Sequence, residues 1–202
     1  MSTQARRRYT LEEYFALELA SEERYEYFGG EVFDLSGDST LAHCQIISNL
    51  VLPLGGDPRS RGCHLYLSHL RIKVPAAPPY RYADLTALCE APRCEIIGGV
   101  DALTNPSLIV EVFSPSTEGY DRGDKFTHYK SIDSFTEYLL IAQHRPHATH
   151  YVRAETGMWM YEEINDLGGS LRLATLDCQL DLSEVYQDVE FPRSVTPTRR
   201  AP

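Results

Sequence analysis

The 202-residue sequence predicts an α/β or α+β domain in which a mixed central β-sheet is flanked by helices. Three observations support this. The apolar periodicities run helix, hairpin, helix, several strands, helix, strand, hairpin, an interleaved order and not segregated blocks. Hydrophobic residues make up 43% of the chain, enough for one core at single-domain length. No internal repeat, low-complexity segment or linker divides it. The expected organisation is a flexible tail over residues 1–8, one domain over 9–190, and a frayed Pro- and Arg-bearing tail over 191–202.

Each element has its own signal. In "TLEEYFALELA", Thr10 and Glu13 form a capping-box pattern that starts a helix. In "RYEYFGGEVFDLSG", two β-prone runs flank Gly29-Gly30, predicting a hairpin. Ile46, Ile47, Leu50, Val51 and Leu54 recur at helical spacing, predicting a helix over 38–54 with Asp38 or Ser39 at its cap. "GGDPRSRG" reads as a loop, "CHLYLSHLRIKVP" as one or two strands, "APPY" as a turn, and "YADLTALCE" as a strand with Asp84 near its start. "APRCEIIGGVDALTNP" is expected to be irregular, and "SLIVEVF" to be a buried strand. A helix over roughly 119–131, a strand in "TEYLLIAQ" and a hairpin turning at Glu155–Gly157 follow. A strand or two and a short helical turn in "LRLATLDCQLDLSEVY" end the domain.

The net charge of −10 argues against an extensive basic surface for nucleic acid, though it leaves room for a local groove or for acids around a metal ion. The basic cluster Arg6–Arg8 is expected to be a solvated tail. No apolar run approaches about 18 residues, so no membrane span is expected, and no apolar segment follows the basic start as in a secretory signal. The five cysteines, Cys44, Cys63, Cys89, Cys94 and Cys178, are odd in number and scattered, which suggests free thiols in a reducing cytoplasm.

Glu111 interrupts the strand formed by Leu108, Ile109, Val110, Val112 and Phe113. A carboxylate among apolar side chains is costly unless it is paired, protonated or bound to a cation. An edge position reaching water would also accommodate it. Asp84 precedes a second apolar run, so two acids from neighbouring strands could converge. At a separation of ~4 Å their repulsion is roughly 4 kcal/mol at an effective dielectric of about 20. A divalent cation removes that penalty. Mg²⁺, or Mn²⁺ in its place, suits the arrangement, because magnesium takes one or two carboxylates and fills its remaining sites with water and phosphate oxygens. In "DRGDKFTHYK", Phe126 and Tyr129 mark the inner face of a helix, and Lys125 sits one turn before Tyr129, able to point toward the sheet.

Taken together and in order, "TLEEYFALE", "RYEYFGGEVFDLSG", "YADLTALCE", "PSLIVEVFSPST", "DRGDKFTHYK" and "EYLLIA" resemble the Uma family of restriction-endonuclease-like proteins, over residues 9 to about 190. The resemblance implies the PD-(D/E)XK nuclease fold, with an active site where two central strands diverge. It makes Asp84 the acid of the first half-motif and Glu111 that of the second. The lysine that many such nucleases carry two residues after the glutamate is replaced by Phe113, and Lys125 from the following helix would supply it. Glu26 matches a further acid able to complete the metal site. Ala83 stands where the motif usually has proline. Tyr80 and Tyr82 fall where smaller or polar groups are expected, and could narrow a groove or stack on bases.

The implied activity is Mg²⁺- or Mn²⁺-dependent hydrolysis of DNA phosphodiester bonds. A non-catalytic binding or regulatory module and an RNA-directed nuclease are the alternatives. Cleaving both strands of a duplex suits a homodimer, although no residue requires one. Other signals weigh less. His144, His147 and His150 are read as a loop and not as a metal site. His43, on the second helix, faces either the core or the cleft. Trp159 is read as packing, and Ser114 and Ser116 as turn or capping residues, since no G-x-S-x-G elbow surrounds them. Gly29-Gly30, Gly55-Gly56 and Gly98-Gly99 are turn pairs and not phosphate loops.

Overall fold

The computed structural model describes residues 7–21, 23–35 and 40–191. Helix α1 (Leu11–Ala20) begins with the predicted capping box: Thr10 Oγ1 accepts the Glu13 amide, and the Glu13 carboxylate accepts the Thr10 amide. Strands β1 (Tyr25–Phe28) and β2 (Glu31–Asp34) form the predicted hairpin. Gly29 and Gly30 turn it with φ of 56° and 88°, which glycine adopts without steric cost. Helix α2 (Leu41–Gly55) is capped by Thr40, and the expected caps Asp38 and Ser39 lie outside the described residues. The expected loop at 55–62 contains a helical turn, α3 (Asp57–Ser60), with Pro58 where a helix start tolerates proline.

The middle of the chain supplies β3 (His64–Leu67), β4 (Arg71–Ile72), β5 (Arg81–Tyr82), β6 (Leu85–Leu88), β7 (Cys94–Ile97), β8 (Val100–Leu103) and β9 (Leu108–Phe113). The segment expected to be irregular is therefore a hairpin. Its turn is Gly98-Gly99, both at positive φ, and the exposed Cys94 and Glu95 obscure the alternation that marks a half-buried strand. A Cβ on Gly98 would run into the Phe15 ring. Gly98→Ala is accordingly expected to cost about 1–3 kcal/mol of stability, read from the denaturant midpoint. Next come α4 (Glu118–Tyr120), a π-helical turn (Asp121–Lys125) and α5 (Phe126–Tyr129), in place of one regular helix. The chain then forms β10 (Glu137–Ala142), β11 (Ala148–Arg153), β12 (Trp159–Ile164), β13 (Ser170–Leu173), β14 (Cys178–Asp181) and α6 (Leu182–Val185).

The central sheet runs β12-β11-β10-β9-β6-β3. It is mixed, as expected: β9 and β10 are parallel and the other neighbours antiparallel. A smaller sheet, β5-β4-β8-β7, stands beside it. Alternation along β9 and β10 divides the core. Leu108, Val110, Val112, Leu139 and Ile141 pack with Ile46, Leu50 and Leu54 of α2. Ile109, Phe113, Tyr138, Leu140 and Ala142 pack with Phe126, Tyr129, Ile132 and Phe135 on the opposite face. Each such large side chain, fully buried, contributes about 1.5–3 kcal/mol. Because both faces are covered, β9 and β10 read as apolar runs, interrupted by Glu111 in β9 and headed by Glu137 in β10. Trp159 packs on Phe126 and Phe135, the packing role expected of it. Among the described residues no helix is long and apolar enough to cross a membrane.

Two further expectations are corrected, and a third in part. Cys63 and Cys89 form a disulfide; Cys44, Cys94 and Cys178 are free. The β3–β6 register, continued one residue beyond His64↔Leu88, sets the two cysteines opposite each other. That pairing is invisible until the strands are aligned, and unpaired thiols no longer support a reducing compartment. Tyr80 and Tyr82 do not form stacking surfaces: both are buried, with their hydroxyls donating to Glu18 Oε2 at 3.2 and 3.1 Å. Glu18 also accepts the Tyr25 amide at 2.8 Å and pairs with Arg71 at 2.8 Å, tying α1 to the hairpin and the smaller sheet. The histidine run is a loop as expected at His144 and His147, but not at His150. His147 is buried against Arg122 and Asn165, and His150 lies in β11 between Glu137 and Glu162. The basic run is exposed as expected where it is described, with Arg7 beside Glu13 and Arg8 beside the Gly29 carbonyl on the surface; Arg6 lies outside the described residues.

Candidate metal centre

The site lies where β6 and β9 part. Their ladder pairs Leu85 with Val110, and one further step in this register sets Asp84 opposite Glu111. Beyond that step β6 no longer accompanies β9, so the Val112 peptide groups need other partners. The Val112 N–H donates to Asp84 Oδ2 at 2.7 Å, and its carbonyl lies 3.1 Å from His43 Nδ1. The other ring nitrogen of His43, Nε2, is 3.3 Å from Asp84 Oδ1. A carbonyl and a carboxylate both offer lone pairs, so a proton on either ring nitrogen meets an acceptor. Burial disfavours a charge on this ring, but the Asp84 hydrogen bond, the Asp84 charge and the Val112 carbonyl outweigh it and hold the pKa above the usual histidine value.

Glu111 occupies the same face of β9 as Ile109 and Phe113 and is 4% exposed, so the edge position reaching water is excluded. Its Oε1 accepts from Lys125 Nζ at 2.8 Å and from the Tyr129 hydroxyl at 2.9 Å. Lys125 also approaches Asp121 Oδ1 at 3.8 Å. The π-turn makes this grouping. Its wider coil brings Asp121, Lys125 and Phe126 all to the inner side, and Tyr138 Oη donates to the Asp121 carbonyl at 3.1 Å. Turns of this kind are frequent at functional sites. Burial pushes the Glu111 carboxyl well up; Lys125 opposes that shift, while Asp84 and Asp121 add to it. Burial works against the Lys125 charge, but Glu111, Glu26 and Asp121 together hold the ammonium protonated. Negative charge is thus in excess around one buried cation, an arrangement that a second cation would relieve.

Glu26, from β1, borders the same cleft. One of its oxygens accepts the Tyr82 amide at 2.9 Å, and the other lies 3.9 Å from Arg81 Nε. The cleft measures about 770 Å³ and is lined by Glu26, His43, Asp84, Glu111, Asp121 and Lys125 among others, with Ser114, Ser116 and Thr117 at its rim. Ser114 and Ser116 bond each other at 2.7 Å, and the Thr117 amide donates to Ser114 Oγ, the turn-forming role expected of them. The structure therefore gathers Asp84, Glu111, Lys125 and Glu26 at one opening. Sequence reasoning missed Asp121 and the Val112 peptide. Only the π-turn and the broken ladder bring them in, and neither leaves a mark in the apolar pattern.

The donors suit a hard divalent ion: two carboxylates and a backbone carbonyl, all oxygen, at the mouth of one cleft. Among the described residues no group of three His, Cys, Asp or Glu side chains forms a ready-made cage.

Architecture and cleft together define a protein of the restriction-endonuclease-like class, in which a mixed sheet flanked by helices opens between two central strands. The chain belongs to the Uma2 family, described as "Putative restriction endonuclease", whose model matches residues 11–183. It is 32% identical over 155 residues to the uncharacterized protein sll1609 of Synechocystis sp., covering 77% of this chain and 86% of that one. It is 29% identical over 186 residues to the uncharacterized protein slr1290 of the same organism, covering 89% and 92%. The crystal structure of a putative nuclease belonging to DUF820 from Anabaena variabilis superposes with a TM-score of 0.67 at 15% identity, over 85% of this chain and 96% of that one.

Proposed function

We propose that the protein is a metal-dependent endonuclease that hydrolyses DNA phosphodiester bonds. The observation that carries this reading is the convergence of Asp84, Glu111 and Lys125 where β6 and β9 separate. Asp84 and Glu111 would hold Mg²⁺ or Mn²⁺, with Glu26 as a further acid from the hairpin. A divalent ion bound there polarises a phosphoryl oxygen and lowers the pKa of water. Lys125, fixed by Glu111 and Asp121, keeps its ammonium at the inner end of the cleft, where it orients a water or meets charge developing on a phosphate. Tyr129 holds Glu111 from behind and fixes its rotamer.

The test is incubation of supercoiled plasmid with Mg²⁺, with Mn²⁺ and with EDTA, alongside a structured RNA of similar length. Nicking or linearisation in the metal arms alone is expected. Cleavage of RNA only would redirect the substrate. Intact substrates under every condition would favour a binding or regulatory module, a reading to which the net charge of −10 gives some support. Mixing experiments on duplex cleavage would show whether a homodimer acts on both strands.

Lys125→Met keeps most of the side-chain volume and removes the charge. It is expected to lower cleavage about 10²–10³-fold. Circular dichroism should show a folded protein, because Glu111 keeps the Tyr129 hydroxyl as a donor. Lys125→Arg should not restore activity, since a planar fork cannot take the place of a compact ammonium between Glu111 and Asp121.

A further inference from the structure

His43 is not among the acids and the lysine that the proposed reaction uses, yet it makes two contacts inside the same cleft. Its ring bridges Asp84 Oδ1 at 3.3 Å and the Val112 carbonyl at 3.1 Å, one nitrogen to each. These are two of the three oxygen donors that face the opening. The start of the helix that carries the ring is fixed as well: the His43 amide donates to Thr40 Oγ1 at 3.1 Å, at the first turn of α2, and Thr40 Oγ1 in turn donates to Gln143 at 2.5 Å. About a fifth of the His43 and Asp84 side chains is exposed, so the pair lies at the mouth of the cleft and not in the core.

We propose that His43 is a positioning residue whose ring holds Asp84 and the Val112 carbonyl and gives them up when a divalent ion binds. This rests on the reading of Asp84 and Glu111 as metal ligands. The two ring nitrogens lie against two oxygens whose lone pairs a cation would otherwise take. They hold Asp84 toward β9 across from Glu111, and they satisfy a peptide carbonyl that has lost its ladder partner. A divalent ion needs the same lone pairs, so ring and ion compete for them. Once released, the ring remains tethered at the cleft mouth by α2, beside the hydroxyl rim of Ser114, Ser116 and Thr117.

The experiment is Mn²⁺ titration of the full chain by calorimetry, comparing wild type with His43→Ala and Asp84→Asn. His43→Ala is expected to bind Mn²⁺ about tenfold more tightly, the scale of one lost competing charge-assisted hydrogen bond. Asp84→Asn is expected to bind it at least about tenfold more weakly. Equal or weaker binding by His43→Ala, with wild type binding normally, would overturn the competition and leave the metal reading standing. No binding by any of the three proteins at millimolar Mn²⁺ would overturn the metal reading and the inference with it. A second readout needs no variant. In ¹H–¹⁵N spectra of the imidazole groups, Mg²⁺ should shift the ring-nitrogen signals of His43 away from their hydrogen-bonded positions. Their persistence at those positions at saturating Mg²⁺ would overturn the proposal.

Discussion

Asp84→Asn is expected to lower metal-dependent cleavage by about 10³-fold while the thermal unfolding midpoint changes little. The asymmetry follows from where Asp84 sits. Its side chain is at the cleft mouth, and the amide that replaces it still offers an oxygen to the Val112 N–H. What is lost is the negative charge opposite Glu111. Glu111→Gln should remove activity to a similar extent but should also destabilise the protein by about 3–5 kcal/mol. Lys125 would then be buried with Asp121 alone, 3.8 Å away, as its carboxylate partner in this pair of contacts. Plasmid cleavage and thermal unfolding measured on the same two variants separate chemistry from folding. Full cleavage activity in both would remove the proposed mechanism.

Glu137→Gln is expected to destabilise the fold by about 3–5 kcal/mol without acting through the cleft. Glu137 lies in β10, buried, with Oε1 2.7 Å from His150 Nε2. It also accepts the amides of Ala174 and Thr175, which anchors the turn between β13 and β14 to the central sheet. The effect depends on pH, and its sign can be worked out. Burial alone would raise the Glu137 pKa, but the bonds from His150 and Thr175 prevail and hold it below its ordinary 4.5. That contribution is complete above 4.5 and is lost as pH falls through the folded-state value. Burial alone would lower the His150 pKa, but the bonds to Glu137 and Glu162 hold it above its ordinary 6.5. That contribution is complete below 6.5 and is lost as pH rises through the folded-state value. The stability gap between wild type and Glu137→Gln should therefore be widest between 4.5 and 6.5 and narrow on both sides. Thermal melts across a pH series read it directly, and a gap independent of pH would contradict this account of the pair.

The parts of the fold legible in the sequence are those where one period dominates. Strands β9 and β10 are buried on both faces and read as apolar runs; the Thr10–Glu13 capping box and the Gly29-Gly30 turn carry local chemistry. Strands β7 and β8 were not legible, because an exposed hairpin places Cys94, Glu95 and Asp101 where alternation would otherwise show. The π-turn escaped because helical periodicity does not register one widened turn within a short segment. The Cys63–Cys89 bond depends on a strand register that joins residues 26 positions apart. In the site, Asp84 and Glu111 stood out as acids set against apolar runs, a cost that demands a cause. His43 was noted but not placed, since one helical histidine gives no sign of what faces it. Its partners come from Val112 and Asp84, on different elements, and only the separation of β6 from β9 brings the three together.

The central claim is that acids from two diverging strands share one divalent ion. A crystal soaked in Mn²⁺ and measured for anomalous scattering tests it most directly. The account predicts a peak between Asp84 and Glu111 within coordination distance of both carboxylates, with the His43 ring moved off Val112. A saturated soak with no peak there, or with manganese bound only elsewhere, would contradict it.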